Sequence, residues 1–240
     1  MRVAPVLSTL VLTAHGSVDP RSAAVTHAVA GRIRRLRPWL DVRAAFLEKT
    51  DPALPDVLSQ TRNATVVPFL LADAYHARVD IPAVIDAVGR PVRRAEVLGE
   101  DPALLSVARL RLTEAGVSPY DDGLGVIVVA VGSSDVAANA RTSTIAPALA
   151  AGTRWAGSQV AFATGPHADL AGTAADLRRS GAHRLVILPW FLAHGRITDR
   201  VAEFAAREDI SMAEPLGSHN LVAATVLDRF DDVSETRAAA

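Results

Sequence analysis

The feature that most constrains the fold is an internal repeat, because four short segments of the first half recur in order in the second half. The offsets between matched segments lie between 116 and 121 residues. The matched pairs are His15-Gly16-Ser17 with Val131-Gly132-Ser133, Ala45-Phe46-Leu47-Glu48 with Ala161-Phe162-Ala163-Thr164, Pro68-Phe69-Leu70-Leu71 with Pro189-Trp190-Phe191-Leu192, and Glu96-Val97-Leu98-Gly99 with Glu214-Pro215-Leu216-Gly217. Two similar halves predict two similar domains.

Each half alternates short apolar runs with amphipathic segments, which is typical of βαβ units. The first run, Val6 to Thr13, is continuously apolar and predicts a buried parallel strand. The polar turn after it leads into a helical pattern that Pro38 ends. We therefore expect an α/β fold with two similar domains, each a parallel sheet of about four strands flanked by helices, and a cleft between them.

The predicted boundaries follow the repeat. The N-terminal lobe spans residues 1–116, a linker rich in Gly, Ser, Pro and Asp spans 117–123, the C-terminal lobe spans 124–230, and 231–240 form a tail. The pattern predicts strands at 6–13, 42–47, 64–71, 92–95, 126–131, 160–163 and 185–188. It predicts helices at 22–36, 54–58, 82–88, 102–114, 137–151, 170–180, 198–207 and 221–230.

Composition excludes several classes of function. The formal net charge of −1 argues against nucleic-acid and membrane partners. No cysteine is present, which excludes disulfides and thiolate metal sites and fits a cytoplasmic protein. No apolar run approaches the roughly 18 residues that a membrane helix needs.

The two halves differ where chemistry is expected. Ligands of open α/β sheets bind at the carboxyl ends of the strands. There the first half carries His15, Glu48 and His76, whereas the second half carries Val131, Thr164 and Arg196 at the matching positions. A single histidine at such a place is compatible with a structural role in a helix-capping turn. Two imidazoles and a carboxylate together suit Fe, Co, Ni or Zn, and they also accept protons near neutral pH.

These residues belong to motifs that resemble the sirohydrochlorin chelatase family, the class II cobalto- and ferrochelatases in their long two-repeat form. The resemblance spans nearly the whole chain. Its motifs are Ala14-His15-Gly16-Ser17 with Asp19-Pro20-Arg21, Phe46-Leu47-Glu48, Pro68-Phe69-Leu70-Leu71 leading to His76 and Asp80-Ile81-Pro82, Leu98-Gly99-Glu100-Asp101-Pro102, and Leu216-Gly217-Ser218-His219. The loop before His76 departs from the family in lacking an expected glycine.

The resemblance implies a lyase-type chelatase that inserts Fe²⁺ or Co²⁺ into sirohydrochlorin, for siroheme or cobalamin synthesis. The divalent metal is then a substrate, Ni²⁺ or Zn²⁺ being possible in vitro, and no organic cofactor is expected. His15 and His76 would bind the ion and take pyrrole protons, with Glu48 as a third ligand or a proton acceptor. The expected substrate-binding residues are Ser17, Arg21, Arg78, Ser133, Ser134, His194, Arg196 and Arg200.

Three alternatives remain open at this stage. The first is a metal or tetrapyrrole carrier of the same fold that does not turn over. The second is an exported two-lobed solute-binding protein, which predicts an export signal. The third is a phosphoryl-transfer enzyme with His15 as nucleophile, which would need an arginine where Ala14 stands. The choice of iron or cobalt, and of monomer or homodimer, is also open.

Overall fold

The computed structural model describes residues 8–165 and 168–235, and these form two compact units. Unit 1 contains the chain up to Gly99 together with the chain from Ser218 onward, and unit 2 contains Glu100–Gly217. The first two residues of the strand predicted at 6–13 lie outside the described residues. Among the described residues, no helix has the length and apolarity required to cross a bilayer.

The elements alternate as the repeat predicts. The strands are β1 (Thr9–Ala14), β2 (Asp41–Phe46), β3 (Ala64–Pro68), β4 (Arg93–Arg94), β5 (Leu124–Ala130), β6 (Gly157–Phe162), β7 (Arg184–Pro189) and β8 (Ser211–Met212). The helices are α1 (Pro20–Leu36), α2 (Leu54–Ser59), a π-helical turn (His76–Asp80), α3 (Ile81–Ala87), α4 (Pro102–Glu114), α5 (Val136–Ser143), α6 (Ile145–Ala150), α7 (Leu170–Arg179), α8 (Arg196–Arg207) and α9 (Asn220–Glu235).

Each unit is built around one four-stranded parallel sheet. The strand order is β2-β1-β3-β4 in unit 1 and β6-β5-β7-β8 in unit 2, which is the same order in repeat terms. Both central strands, β1 and β5, are buried along their whole length, as their continuous apolar sequences predict. Helices cover the sheets, so the predicted α/β fold with two similar parallel sheets is confirmed.

The carboxyl edge of the unit 1 sheet is held together beyond the strand ends. The Leu47 N–H donates to the Ala14 carbonyl at 3.1 Å, and the Glu48 N–H donates to the His15 carbonyl at 3.0 Å. In unit 2, the Thr164 N–H donates in the same way to the carbonyl of residue 131, at 2.9 Å. These bonds fix the backbone at the positions that differ chemically between the repeats.

The last helix of each repeat packs in the unit formed by the other repeat. Helix α4 follows the first repeat but contacts α6 and β7 of unit 2, and α9 follows the second repeat but contacts α1 and β3 of unit 1. The compact units therefore differ from the predicted lobes, 1–116 and 124–230. The chain changes unit after Gly99 and again after Gly217.

An arginine on each exchanged helix explains why the exchange is specific. Arg111 of α4 and Arg229 of α9 each donate two hydrogen bonds, from Nε and from one terminal nitrogen, to consecutive backbone carbonyls at 3.0–3.1 Å. The acceptors are Pro215 and Leu216 for Arg111, and Val97 and Leu98 for Arg229. These carbonyls stand in the matched segments of the repeat, so both helices are held by the same interaction.

The structure differs from the prediction at α5 and α6, at the C-terminal tail and at β8. The helix predicted at 137–151 is divided into α5 and α6 at Thr144, because Pro147 has no N–H to continue the helical hydrogen bonding. The tail predicted to begin at 231 starts inside α9, which runs to Glu235. The two-residue strand β8 was not predicted, since such a short edge strand has no readable pattern.

Candidate functional site

His15 stands directly after β1, where a tight turn leads to α1. Gly16 makes this turn possible, because its φ is +93° and a Cβ there would lie 1.8 Å from the Glu48 carbonyl oxygen. Only glycine tolerates such an approach. The backbone of Glu48 therefore packs against Gly16 and is hydrogen-bonded to the His15 carbonyl, so Glu48 and His15 lie side by side.

The side chains of His15 and Glu48 meet above this turn. His15 Nε2 lies 2.9 Å from Glu48 Oε1, and Lys49 Nζ donates a hydrogen bond to the same oxygen at 2.5 Å. Because a carboxylate oxygen only accepts, the short distance favours a proton on Nε2 and leaves the lone pair of His15 on Nδ1. Nδ1 is buried and has no hydrogen-bond partner among the described residues.

His76 reaches the same place from the other side of the central strand. It is the first residue of the π-helical turn after β3, not the end of a strand as predicted. Its ring centroid lies 4.2 Å from that of His15, with the ring planes tilted by 40°. Nδ1 of His76 lies 2.5 Å from Asp80 Oδ2, so Nδ1 carries the proton and Nε2 carries the free lone pair.

Burial favours the neutral form of His15, and the contact with Lys49 favours the ionised form of Glu48. Burial lowers the pKa of His15 below its ordinary value of 6.5, and the neighbouring His76 and Lys49 lower it further, whereas Glu48 and Asp80 raise it. The hydrogen bond from Lys49 lowers the pKa of the Glu48 carboxyl. The His15 and His76 side chains are 38% and 48% exposed, so both rings remain accessible.

The predicted three-ligand set is not preformed. No group of three His, Cys, Asp or Glu side chains within residues 8–165 and 168–235 is arranged to hold a metal ion. Glu48 faces His15 and Lys49 instead of sharing a common point with both histidines. The free, exposed nitrogen of the His76 ring is what this site offers a cation, and imidazole nitrogen suits first-row divalent metals.

The predicted serines stabilise the turns after the two central strands. Ser17 Oγ accepts from the Asp19 N–H, and Ser133 Oγ accepts from the Asp135 N–H, each at 3.0 Å. The backbone N–H and carbonyl of each serine are both hydrogen-bonded to one neighbouring side chain. This is the Thr50 hydroxyl for Ser17 and the Asn139 amide for Ser133. Ser134, which follows in unit 2, is exposed.

The predicted arginines of unit 1 are already paired. Arg21 binds Asp19 at 2.6 Å, next to the start of α1. Arg78 binds Asp73 at 2.8 Å, within the turn that carries His76. Both side chains are partly exposed, Arg21 on α1 and Arg78 on the π-helical turn. To bind an anion, each must share its aspartate partner or break that ion pair.

The predicted residues of unit 2 cluster at the start of α8, after β7. Arg196 and Arg200 are exposed and lie on one face of the helix, since they are four residues apart. His194 precedes them, and its Nε2 lies 2.8 Å from Glu214 Oε2. Arg196 is the first residue of α8 as His76 is the first of the π-helical turn, which agrees with the predicted correspondence between the two.

Sequence reasoning missed two residues at this site. Asp80 was noted only as part of a motif, although its spacing of four from His76 on a helical segment was a usable signal. Lys49 was noted only as the sole lysine of the chain, although it is adjacent to Glu48. Both contact predicted site residues, so the candidate site is a network of five side chains instead of three.

Known proteins are similar to this chain over both repeats. The family model CbiX matches residues 9–115 and 125–233. A sirohydrochlorin ferrochelatase of Priestia megaterium is 26% identical over 184 residues, which span 71% of this chain and 69% of the relative. A sirohydrochlorin cobaltochelatase of the same organism is 30% identical over 183 residues, spanning 68% of this chain and 57% of the relative.

The fold also has solved counterparts. SirB from Bacillus subtilis with Fe³⁺ superposes with a TM-score of 0.81 at 19% identity, and 95% of each chain is covered. This match concerns the fold, whereas the family match covers both repeats, including the segments that hold His15, Glu48 and His76. The predicted membership of the sirohydrochlorin chelatase family is confirmed, and the chain belongs to the CbiX family.

Proposed function

We propose that this protein is a chelatase that inserts a divalent metal ion, Fe²⁺ or Co²⁺, into sirohydrochlorin. The observation that carries the proposal is the pair of imidazole rings, His15 and His76, 4.2 Å apart at the carboxyl edge of unit 1. The relatives support it, because one is named a ferrochelatase and the other a cobaltochelatase for this tetrapyrrole. The product serves siroheme or cobalamin synthesis, depending on the metal.

The chemistry requires two abilities from one site. Insertion exchanges one divalent ion for two N–H protons of the macrocycle, so the site must hold an ion briefly and also accept protons. Neutral imidazole does both near neutral pH. A site with few ligands also releases its ion readily, and transfer of the ion to the macrocycle requires such a release.

His76 is the group we assign to the incoming ion. Its Nε2 is free because Nδ1 is bonded to Asp80, an arrangement in which a carboxylate orients a ligating histidine and raises its basicity. Its side chain is 48% exposed, so an ion can reach it from solvent.

His15 and Glu48 are the groups we assign to proton removal. The lowered pKa of His15 favours the neutral ring, which can accept a proton once it turns its buried Nδ1 toward the substrate. The imidazolium formed then lies beside the Glu48 carboxylate, which stabilises it. Glu48 remains charged for this role because Lys49 lowers its pKa.

The peripheral carboxylates of the substrate require cationic partners. Arg196 and Arg200 are suited to this, because neither has a partner among the described residues and they share one face of α8. Bidentate binding of carboxylates is the interaction that arginine makes best. The further proposed substrate-binding residues are Ser17, Arg21 and Arg78 in unit 1 and Ser133, Ser134 and His194 in unit 2.

The test is an anaerobic absorbance assay of sirohydrochlorin metallation with Fe²⁺, Co²⁺ and Ni²⁺. The intact protein is expected to exceed the uncatalysed rate, and His15→Ala and His76→Ala are expected to lose that excess. The ratio of rates among the metals identifies the preferred ion. Arg62→Ala, an exposed change outside these loops, serves as the matched control and should keep the full rate.

Binding of sirohydrochlorin or of the ion by the intact protein without faster metallation would overturn the proposal in favour of a carrier. Retention of the full rate by both histidine variants would overturn the assignment of the site while leaving the activity in place.

A further inference from the structure

Lys49 has a backbone conformation that its side chain does not favour. Its φ is +59°, in the left-handed region, where non-glycine residues are uncommon because Cβ crowds the following carbonyl. The corresponding residue of unit 2 is Gly165, with φ +83°. The correspondence is firm, since the preceding residues, Glu48 and Thr164, make the same backbone hydrogen bond to the residue after the central strand.

Unit 2, which has no counterpart of His15 or His76, thus has a glycine in this left-handed conformation. Unit 1, which carries both histidines, has the strained lysine. Backbone strain of this kind is retained only where other interactions compensate for it, and it is frequent at functional sites. Here the side chain is the sole lysine of the chain, and its Nζ donates to Glu48 Oε1 at 2.5 Å. The left-handed backbone turns the lysine back toward the residue that precedes it.

The oxygen that Lys49 binds is the one that faces His15. Glu48 Oε1 lies 2.9 Å from His15 Nε2 and 2.5 Å from Lys49 Nζ, so the carboxylate is held between two nitrogen atoms. The Glu48 backbone is fixed already by the approach of Gly16 and by its bond to the His15 carbonyl. Its side chain is 43% exposed, so its contacts with Lys49 and His15 are what orient the carboxylate.

We propose that Lys49 is a positioning residue that holds the Glu48 carboxylate beside His15 and away from a cation bound at His76 Nε2. The inference rests on the proposed function and adds to it a role for Lys49. A carboxylate that joined this imidazole would add an oxygen ligand, and the site would then bind a first-row divalent metal more firmly. Lys49 keeps Glu48 off the ion, so that the ion can leave for the macrocycle.

The experiment is a Co²⁺ titration of Lys49→Gly followed by d–d absorbance, without tetrapyrrole. Glycine is the residue of unit 2 and relieves the strained φ, so loss of folding is not expected. We expect Co²⁺ to bind about tenfold more tightly, the scale on which outer groups usually tune metal sites. The absorbance should also change in intensity, because an oxygen ligand has been added.

Two further variants separate positioning from charge. Adding Glu48→Gln to Lys49→Gly is expected to return the Co²⁺ affinity to near that of the unchanged protein, whereas Lys49→Arg should preserve it. Asp209→Gly relieves the other left-handed non-glycine residue among the described residues, far from β1 and β2 in the sequence, and should change thermal stability alone.

Unchanged or weaker Co²⁺ binding by Lys49→Gly would overturn the proposal. So would tighter binding that persists in the double variant, because the lysine would then act through its charge alone. The titration needs no turnover. Its outcome is therefore separate from that of the metallation assay, so the failure of one proposal can be told from the failure of the other.

Discussion

The two units share their strand order, their turn geometry and the arginine bonds that hold their last helices. The side chains at the carboxyl edges of their sheets nevertheless differ. Unit 1 places His15, Glu48 and His76 where unit 2 places Val131, Thr164 and Arg196. The backbone hydrogen bonds at these places are nevertheless matched. The comparison teaches that this scaffold tolerates either set of side chains, so the imidazoles are not there to stabilise the fold.

The largest expected effect comes from making unit 1 resemble unit 2 at its key position. His15→Val installs the side chain that unit 2 carries after its own central strand, so the fold should be retained. Loss of a positioned proton acceptor should lower the metallation rate by roughly 10²–10⁴-fold. Stopped-flow absorbance measures the rate and circular dichroism the fold; a variant that keeps its rate would remove His15 from the mechanism.

The reciprocal change, Val131→His, is the control for this comparison. It adds an imidazole to unit 2 without the carboxylate or the second histidine. We expect no gain in rate and no new Co²⁺ absorbance, and a gain in either would mean that a single histidine on this scaffold suffices.

The next effect concerns stability. Gly16 and Gly132 have φ values of +93° and +92°, but a Cβ would lie 1.8 Å from the carbonyl oxygen of Glu48 in one unit and 2.6 Å from that of Thr164 in the other. Gly16→Ala should therefore lower the free energy of unfolding by about 3 kcal/mol, and Gly132→Ala by less. Denaturant titration of both variants gives the comparison, and equal losses would contradict it.

A smaller effect is expected for substrate affinity. Arg196→Ala and Arg200→Ala should each raise the KM for sirohydrochlorin by about tenfold with little change in kcat. Each change would then remove about 1.4 kcal/mol of binding free energy that is the same in the ground state and the transition state. Arg21→Ala should raise it less, because Arg21 is already bonded to Asp19. Initial rates over a range of tetrapyrrole concentrations test this, and a larger effect at Arg21 would reverse the assignment.

The smallest effect is a shift in pH dependence. Burial, His76 and Lys49 lower the pKa of His15, so its neutral, proton-accepting form persists to lower pH than that of a free imidazole. The metallation rate, corrected for the uncatalysed reaction, should fall with decreasing pH only below about 6.5, the ordinary value. Lys49→Gly removes one cause of the lowered pKa of His15, so the decrease in metallation rate should begin at a higher pH. A decrease that begins at a lower pH would contradict the role assigned to His15.

Most of the fold was predictable because the signals for it are local. The apolar run of β5 and the Asp101-Pro102 start of α4 identify their elements without reference to the rest of the chain. The exchange of α4 and α9 was not predictable from the repeat, since either assignment gives the same pattern of elements. It depends on which carbonyls Arg111 and Arg229 reach, and that is a matter of three-dimensional packing.

The candidate site was predictable in its members but not in its connections. The asymmetry between the repeats identified His15, Glu48 and His76, and the structure brings these three side chains to one place. The pairing of Glu48 with Lys49 was not apparent, because it depends on a left-handed backbone at a non-glycine residue.

The two α/β repeats, and the sheet edge and the half that hold the candidate site, could be inferred from the sequence alone, because periodicity and residue identity are properties of the chain. The free nitrogen of each histidine, the orientation of Glu48 and the repeat that each last helix completes became apparent only from the three-dimensional structure. Those features depend on distances between segments far apart in the chain, such as the 2.9 Å between His15 and Glu48 and the 4.2 Å between the two rings.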